Sequence, residues 1–218
     1  AAALMRQFGG IELHNVDVVS VGRRTSASGR YTPKYDEIIG DRPAVGLLRV
    51  WLVLRLCPQT CMEAIAYRGD VGRAVAAATE RMRQAVLRQG CRATLCTANQ
   101  MKLATTTLLA GSEQLEPVRE HWTYLDLGQN FVTSYRIAGD DLSTDLLSDV
   151  WTVRSQATAT LVRVATGPDG QPTVGALVRF HTAHPLTEPP LLALKTGPGE
   201  QLSALMGTLP LGNRSMDF

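Results

Sequence analysis

The chain has 218 residues, of which 44% are apolar and 19% are charged, and its formal net charge is +2. This length and composition support a sizeable core and exclude a disordered or fibrous protein. The net charge is too small to indicate a nucleic-acid-binding protein by itself, and we predict no nucleic-acid partner. The longest apolar run, Leu47–Leu56, contains two arginines and falls far short of the ~20 residues that span a bilayer. We therefore predict a single soluble domain over residues 1–218, in which residues 186–218 are the least clearly assigned.

The start of the chain and its cysteines bear on its context. Residues Ala1–Phe8 contain no initiator methionine and resemble the end of a helix, and no signal peptide is visible. We therefore expect the chain to be a fragment of a longer protein. Four cysteines, at positions 57, 61, 91 and 96, are too few for a disulfide scaffold. This usage favours a reducing compartment, the cytosol.

The first predicted elements are a strand, a loop and a second strand. The segment Ile11–Val21 carries a cluster of β-branched valines, which predicts a strand. The stretch Gly22–Pro43 contains glycine, proline and serine and four cations before its first acid, Asp36, which is typical of a loop. The run Leu47–Leu56 is short and rich in leucine and valine. That pattern predicts a central strand buried on both faces.

A long helix is the clearest element of the sequence. Apolar side chains recur at helical spacing from Val71 to Val86, Asp70 can cap the start, and Gly90 fits the position after the end. The following segment, Cys91–Thr97, is predicted to be a short strand. With the strand Leu47–Leu56, this helix and strand form a βαβ-like core unit.

The C-terminal half is predicted to contain antiparallel hairpins and two further helices. The elements are a hairpin of Trp122–Leu127 and Phe131–Ile137, a short helix at Asp140–Trp151, a hairpin of Leu161–Val164 and Val174–Phe180, and a helix at Glu200–Leu209. The fold class is therefore α/β or α+β, with a mixed sheet and flanking helices.

A zinc site is the first chemical hypothesis, because the cysteines form a C-x3-C pair and a C-x4-C pair. Structural zinc is usually held by C-x2–4-C pairs in tight turns. If Cys91 and Cys96 share a strand, their odd separation places them on opposite faces, where they cannot bind one ion. We interpret the cysteines as small buried hydrophobic residues, and a zinc-stapled module remains a weaker alternative.

Other candidate sites are better explained by structure. His181 and His184 follow a strand and are interpreted as a pair at its rim. The segment Gly197-Pro198-Gly199 is interpreted as a turn, because the proline removes an N–H that a phosphate would need. The adjacent aspartates at 140 and 141 are interpreted as a helix start, and no G-x-S-x-G nucleophile motif is present. No catalytic, cofactor-binding or metal-binding residue is predicted.

Basic and aromatic residues offer two surface hypotheses. The loop from Arg23 to Lys34 could face anionic lipid or an acidic partner, although such a charge run is more often solvated. The three tryptophans at 51, 122 and 151 could anchor an interface, but each lies beside a predicted core element. We favour core packing for all three.

Several further segments are informative together, through their order and spacing over roughly residues 1–185. They are Asp36–Pro43, Arg49–Arg55, Pro58-Gln59, the helix Val75–Met82, Thr97-Ala98, Val118–Trp122 and Ala176–His181. In this order they resemble the EccE family, a membrane-complex component of the mycobacterial type VII (ESX) secretion systems.

The resemblance implies a subunit of the secretion complex in the cell inner membrane, with EccB, EccC and EccD as partners and this domain at the cytoplasmic face. Family members carry a pair of transmembrane helices ahead of a cytosolic domain. These helices are absent from this sequence, so the resemblance implies that the parent protein is anchored through them. The family brings no catalytic motif and no cofactor.

We therefore expect a non-catalytic structural subunit that stabilises the assembly for protein export. Its means would be an interface with an apolar centre and a charged rim. The alternative is an enzyme domain that handles nucleotides or nucleotide-sugars, with a pocket at the carboxyl ends of the strands.

Overall fold

The computed structural model describes residues 6–7, 10–24, 30–110, 118–167 and 169–210. Within these ranges the strands are β1 (Arg6–Gln7), β2 (Ile11–Arg23), β3 (Leu47–Leu56), β4 (Arg119–Glu120), β5 (Leu125–Asp126), β6 (Phe131–Ile137), β7 (Ala157–Thr166), β8 (Pro172–Thr182) and β9 (Lys195–Thr196). The α-helices are α1 (Thr32–Ile39), α2 (Met62–Arg68), α3 (Val71–Arg88), α4 (Ala98–Leu108), α5 (Thr144–Asp149) and α6 (Gln201–Gly207). None of the helices described is long and apolar enough to cross a membrane. The predicted helix end at Ala1–Phe8 lies outside the described residues except for Arg6–Gln7, which form β1.

The strands are ordered β1-β2-β7-β8-β6-β5-β4, with β3 paired to β2 and β9 paired to β6. The pairings β1–β2, β4–β5, β5–β6, β6–β8 and β6–β9 are antiparallel. Both predicted hairpins are confirmed: β5 and β6 join through a turn at Gly128 (φ 79°), and β7 and β8 are neighbours. The expected mixture of helices and strands, with antiparallel hairpins, is therefore confirmed as an α+β fold.

The predicted βαβ-like unit is wrong, because Cys91–Thr97 is irregular and not a strand. Strand propensity is realised only where a side chain packs against cross-strand neighbours, and six of these seven residues are exposed. The last residue instead starts a helix. The Thr97 hydroxyl accepts from the Gln100 N–H at 3.3 Å, and the Gln100 side-chain oxygen accepts from the Thr97 N–H at 2.8 Å. This capping box begins α4.

The prediction that Leu47–Leu56 is buried on both faces is also wrong. Strand β3 does form, but its only pairing within the described part of the chain is with β2. Leu47, Leu48 and Val50 are 55%, 48% and 54% exposed. A run of apolar residues predicts burial, but the position of a strand at an edge is decided by pairings that local sequence does not encode.

Two smaller corrections concern helix boundaries. The segment Gly22–Pro43 is not entirely a loop, because it contains α1, with Pro33 in the first turn where a missing N–H costs nothing. The helix predicted at Asp140–Trp151 is divided into two short 3-10 turns and α5. Ser143 caps α5 by accepting from the Leu146 N–H at 3.1 Å, which sets its start after the aspartates.

Contacts divide the chain into two compact units, each described separately. The first comprises Ala1–Asp17, Leu52–Lys102 and Arg163–Val174. Its core lies between the start of β2 and helices α2 and α3. The buried members are Ile11, Leu13, Val16, Cys61, Ala64, Ala74, Ala78 and Met82. The long helix was predicted correctly: Asp70 accepts from the Arg73 N–H at 2.8 Å, and Gly90 has φ 80°.

The second unit comprises Val18–Trp51, Leu103–Val162 and Gly175–Phe218. Its largest apolar cluster is built on β6 and β8 and consists of Tyr135, Ile137, Val150, Ala176, Val178, Phe180 and Leu194. The β6–β8 register places Tyr135 opposite Val178 and Thr133 opposite Phe180. Since side chains alternate along a strand, Arg179 and His181 lie on the opposite face of β8.

Candidate functional site

The cysteines do not form a metal centre in the part of the chain that the structure describes, where no group of three His, Cys, Asp or Glu side chains could hold an ion. Cys61 is buried, and its sulfur lies 3.3 Å from both the N–H and the carbonyl oxygen of Glu12. Cys91 and Cys96 are exposed. Cys57 is half-buried. The interpretation as buried hydrophobic residues is therefore right for Cys61 and wrong for Cys91 and Cys96, because the segment of these two is not a covered strand.

The histidine pair is divided by the structure. His184 is exposed, as expected of a rim residue, but His181 is fully buried. The rim interpretation is therefore wrong for His181. It lies on β8 opposite Val132 of β6, on the same face as Arg179. Arg179 donates to the carbonyl oxygens of Leu108 and Leu205, so other segments cover this face.

The other sequence candidates have structural roles. The segment 197–199 is a turn, in which the Glu200 N–H donates to the Gly197 carbonyl at 3.2 Å. The Glu200 carboxylate pairs with Arg136 at 2.5 Å. Asp141 pairs with Lys195 at 3.1 Å. Each carboxylate therefore has a surface cation as its partner.

The tryptophans differ in burial. Trp51 and Trp151 are half-buried, and Trp151 packs against the core of the second unit. Trp122 is 73% exposed, so the prediction of core packing is wrong for it. It follows the two-residue strand β4 and is held by its backbone, since its carbonyl accepts from the Gly199 N–H at 2.8 Å.

The basic loop contains one arginine that is not solvated. Arg24 is 4% exposed, and its Nε lies 2.8 Å from Oδ1 of Asp36. Its remaining N–H groups donate to the carbonyl oxygens of Gly40, Arg42, Trp151 and Thr152. Sequence reasoning treated this loop as uniformly exposed, but Arg24 joins three segments of the second unit.

The cavity that we call the Arg23–Arg49 cavity lies in the second unit and has a volume of about 360 Å³. It is lined by the end of β2, the start of β3, the last turns of α4 and one residue of β7: Val21, Gly22, Arg23, Leu47, Arg49, Leu103, Thr106, Thr107, Ala110 and Ala157. Gly22 allows this close approach, because a Cβ there would lie 2.7 Å from the carbonyl oxygen of Leu47. Two cations and several apolar side chains therefore share one recess.

Arg179 holds the end of α4 that lines this cavity. It is fully buried, and its guanidinium donates to the carbonyl oxygens of Leu108 and Leu205 and to the Thr208 hydroxyl. Burial lowers the pKa of Arg179 to about 9. A cation bound to the last carbonyls of a helix also opposes the negative end of the helix dipole.

The buried imidazole of His181 is influenced by the charges of Arg179 and Arg23. Burial lowers the pKa of His181 well below its usual value, and the positive charges of Arg179 and Arg23 lower it further. Neither ring nitrogen has a hydrogen-bond partner among the described residues. The imidazole is therefore neutral at physiological pH and adds no charge to the group of arginines.

Sequence comparison places these features in a family. The family model described as the type VII ESX secretion system translocon EccE matches residues 44–137. The chain is 30% identical to ESX-5 secretion system protein EccE5 of Mycobacterium marinum and 32% identical to that of Mycobacterium tuberculosis, over 95% and 94% of its length. The chain belongs to the EccE family.

Membership of the EccE family extends to relatives from other secretion systems. The chain is 32% identical over 154 residues to ESX-2 secretion system protein EccE2 of Mycobacterium tuberculosis, which is 71% of this chain and 28% of that protein. It spans 53% of each of the two EccE5 proteins, so it corresponds to about half of their length. The resemblance read from the sequence is therefore confirmed.

The family match covers part of the cavity. Leu47, Arg49, Leu103, Thr106 and Thr107 lie inside the matched segment 44–137, whereas Arg23, Arg179 and His181 lie outside it. The Arg23–Arg49 cavity was not predicted from the sequence. The available signal was Arg49, one of two arginines in an otherwise apolar strand. The residues of α4 that lie beside Arg49 are decided by the tertiary fold, which local sequence does not encode.

Proposed function

We propose that the chain is a non-catalytic structural part of a type VII (ESX) secretion complex in the inner membrane, where it stabilises the assembly for protein export. The observation that carries this proposal is membership of the EccE family, with similarity over nearly the whole chain to proteins named as ESX secretion system components. In this proposal residues 1–218 act as one functional domain.

The partners and location form part of the same proposal, because the chain spans about half of its relatives. We propose EccB, EccC and EccD as neighbours and the cytoplasmic face as the location, with the parent protein anchored in the membrane by helices outside this sequence. The free, exposed thiols of Cys91 and Cys96 support a reducing compartment.

Exposed apolar side chains supply a physical means of contact. Leu48 and Val50 lie two residues apart on β3, on one side of the strand, and are 48% and 54% exposed. Exposed apolar groups of this kind favour protein contact, and an exposed aromatic such as Trp122 is typical of interface anchors.

The proposal is tested in cells that carry the full-length parent protein. The V50E variant places a charge on the exposed β3 face, whereas V174E places the same charge on a valine of β8 that is 41% exposed. We expect V50E to reduce the amount of intact membrane complex on native gels and the amount of secreted substrate, and V174E to leave both unchanged. A complex that assembles and secretes normally without residues 1–218 would refute the structural role.

No observation on the described residues favours the alternative of a nucleotide-handling enzyme. The carboxylates of Asp141 and Glu200 are engaged by Lys195 and Arg136. The Arg23–Arg49 cavity contains no carboxylate or histidine among its lining residues.

A further inference from the structure

We propose that the Arg23–Arg49 cavity binds a small amphiphilic oxyanion, whose phosphate or carboxylate head pairs with Arg23 and Arg49 and whose apolar body packs on Leu103. This ligand site is independent of the structural role proposed above. Three features of the described residues carry it: unpaired positive charge, an apolar wall and a fitting volume.

Positive charge at the cavity is not compensated within the part of the chain that the structure describes. Neither Arg23 nor Arg49 has an ion-pair partner there, whereas the nearby Arg24 is paired with Asp36. Buried Arg179 adds a third cation beside α4, and each of its hydrogen bonds goes to a neutral carbonyl or hydroxyl oxygen. Planar guanidinium groups match the geometry of phosphate and carboxylate oxygens, so an oxyanion is the complementary ligand.

The end of α4 disfavours an anion in the cavity. The cavity faces the C-terminal turns of this helix, which carry a partial charge of about −0.5. Two full positive charges line the cavity, and Arg179 already binds the Leu108 carbonyl at that helix end. The positive charge of the arginines is therefore larger than the partial negative charge at the end of α4.

The apolar wall and the volume narrow the ligand class. Val21, Leu47, Leu103, Ala110 and Ala157 make most of the remaining lining apolar. The volume of about 360 Å³ lies at the lower end of the range of about 300–1,000 Å³ that is typical of small-molecule sites. Leu47 and Leu103 are 55% and 58% exposed, so an apolar chain can enter from solvent and cover them.

The test is a titration of the 218-residue chain with hexyl phosphate, followed by calorimetry, with inorganic phosphate and hexyltrimethylammonium as comparison probes. We expect hexyl phosphate to bind more tightly than inorganic phosphate, because it also covers the apolar wall, and the cation not to bind. R49Q should weaken hexyl phosphate binding about ten-fold or more, since it removes a charge-assisted contact. R92Q, at an exposed arginine outside the cavity lining, should retain wild-type affinity.

A matched pair at Leu103 separates ligand binding from folding. Aspartate and asparagine have nearly the same size, and the side chain they replace is largely exposed. L103D places a carboxylate on the apolar wall, where it repels the oxyanion and interrupts packing of the apolar body, and it should abolish binding, whereas L103N should bind at least about ten-fold more tightly than L103D. Equal affinity of L103D, L103N and R49Q for hexyl phosphate, or no binding by the folded wild-type chain, would overturn the proposal.

A second arm identifies the source of the oxyanion. If the site binds the phosphate head group of a membrane lipid, the chain co-sediments with phosphatidic acid vesicles, and L103D abolishes the co-sedimentation. Binding of hexyl phosphate without co-sedimentation assigns a soluble ligand. Both results support the site, and neither depends on whether the chain braces a secretion complex.

Discussion

Asp17 and Arg163 form a buried ion pair joined by two hydrogen bonds, from Nε to Oδ1 at 2.8 Å and from Nη2 to Oδ2 at 2.9 Å. The two side chains are 0% and 3% exposed. Arg55 adds a third contact, with its Nε 3.1 Å from Oδ2 of the same carboxylate. Two arginines therefore share one buried carboxylate in the first unit.

Removal of that shared carboxylate should be costly. D17N removes the negative charge that both arginines contact, and we expect it to lower the free energy of unfolding by about 3–5 kcal/mol. The measurement is urea denaturation followed by circular dichroism. The control is D169N, which neutralises an exposed aspartate on the β7–β8 turn and should change stability by less than about 0.5 kcal/mol. A D17N loss as small as that of D169N would contradict the assigned role.

Asp36 allows a matched comparison of a buried and an exposed arginine on one carboxylate. Arg24 is 4% exposed and Arg154 is 61% exposed, and their Nε atoms lie 2.8 and 3.1 Å from the two Asp36 oxygens. R24K removes the planar donor set that binds four carbonyl groups, so we expect a loss of about 2 kcal/mol or more. R154K should cost less than about 1 kcal/mol. Denaturation of both variants under one condition gives the difference, and equal losses would show that Arg24 does not join these segments.

His181 should make stability depend on pH. Its pKa in the folded protein lies well below its usual value of about 6.5. As the pH falls, His181 is therefore protonated in the unfolded chain before it is protonated in the folded chain. The stability that depends on a neutral His181 is fully present above pH 6.5 and is lost as the pH falls towards the pKa of the folded state. The free energy of unfolding should therefore fall between pH 7.5 and pH 5.5.

The H181Q variant should lack that loss, whatever its stability at pH 7.5. H184Q, at an exposed histidine, should retain the wild-type dependence. Urea denaturation of all three proteins at the two pH values provides the comparison. The same pH dependence in H181Q and the wild type would assign the effect to other groups.

The cysteines should differ in their reaction with a maleimide. Cys91 and Cys96 are exposed and Cys61 is 1% exposed, so the first two should be modified rapidly in the native state and Cys61 only after unfolding. Mass spectrometry of peptides after timed labelling gives the three rates. Native labelling of Cys61 at the rate of Cys96 would contradict the packing of the first unit.

Local sequence predicted the elements whose signals are complete within a few turns. Helix α3 has an apolar stripe, an N-cap at Asp70 and a glycine at position 90, and all three are found as expected. The hairpins were predicted because Gly128 and the turn before Gln171 act locally, with Gly167 and Gly170 joined by a 2.9 Å hydrogen bond.

Errors arose where the environment of a segment depends on distant residues. Strand β3 and the segment Cys91–Thr97 both have apolar patterns, but no neighbour covers the first on both faces or pairs with the second in the described part of the chain. The buried roles of Arg24 and Arg179 rest on carbonyl groups more than ten residues away, such as those of Trp151 and Leu108. Nothing in the immediate sequence specifies those partners.

The position of β3 has a practical consequence for handling this chain. A ten-residue strand that pairs on one side only, within the described residues, offers backbone N–H and carbonyl groups on which another extended segment can assemble. Arg49 is the exposed cation that interrupts its apolar run, and positive charge on an edge strand is a known safeguard against such growth. Replacing Arg49 with valine would remove that safeguard. Preparations of that variant would precipitate or form fibres at a lower protein concentration than the wild-type chain.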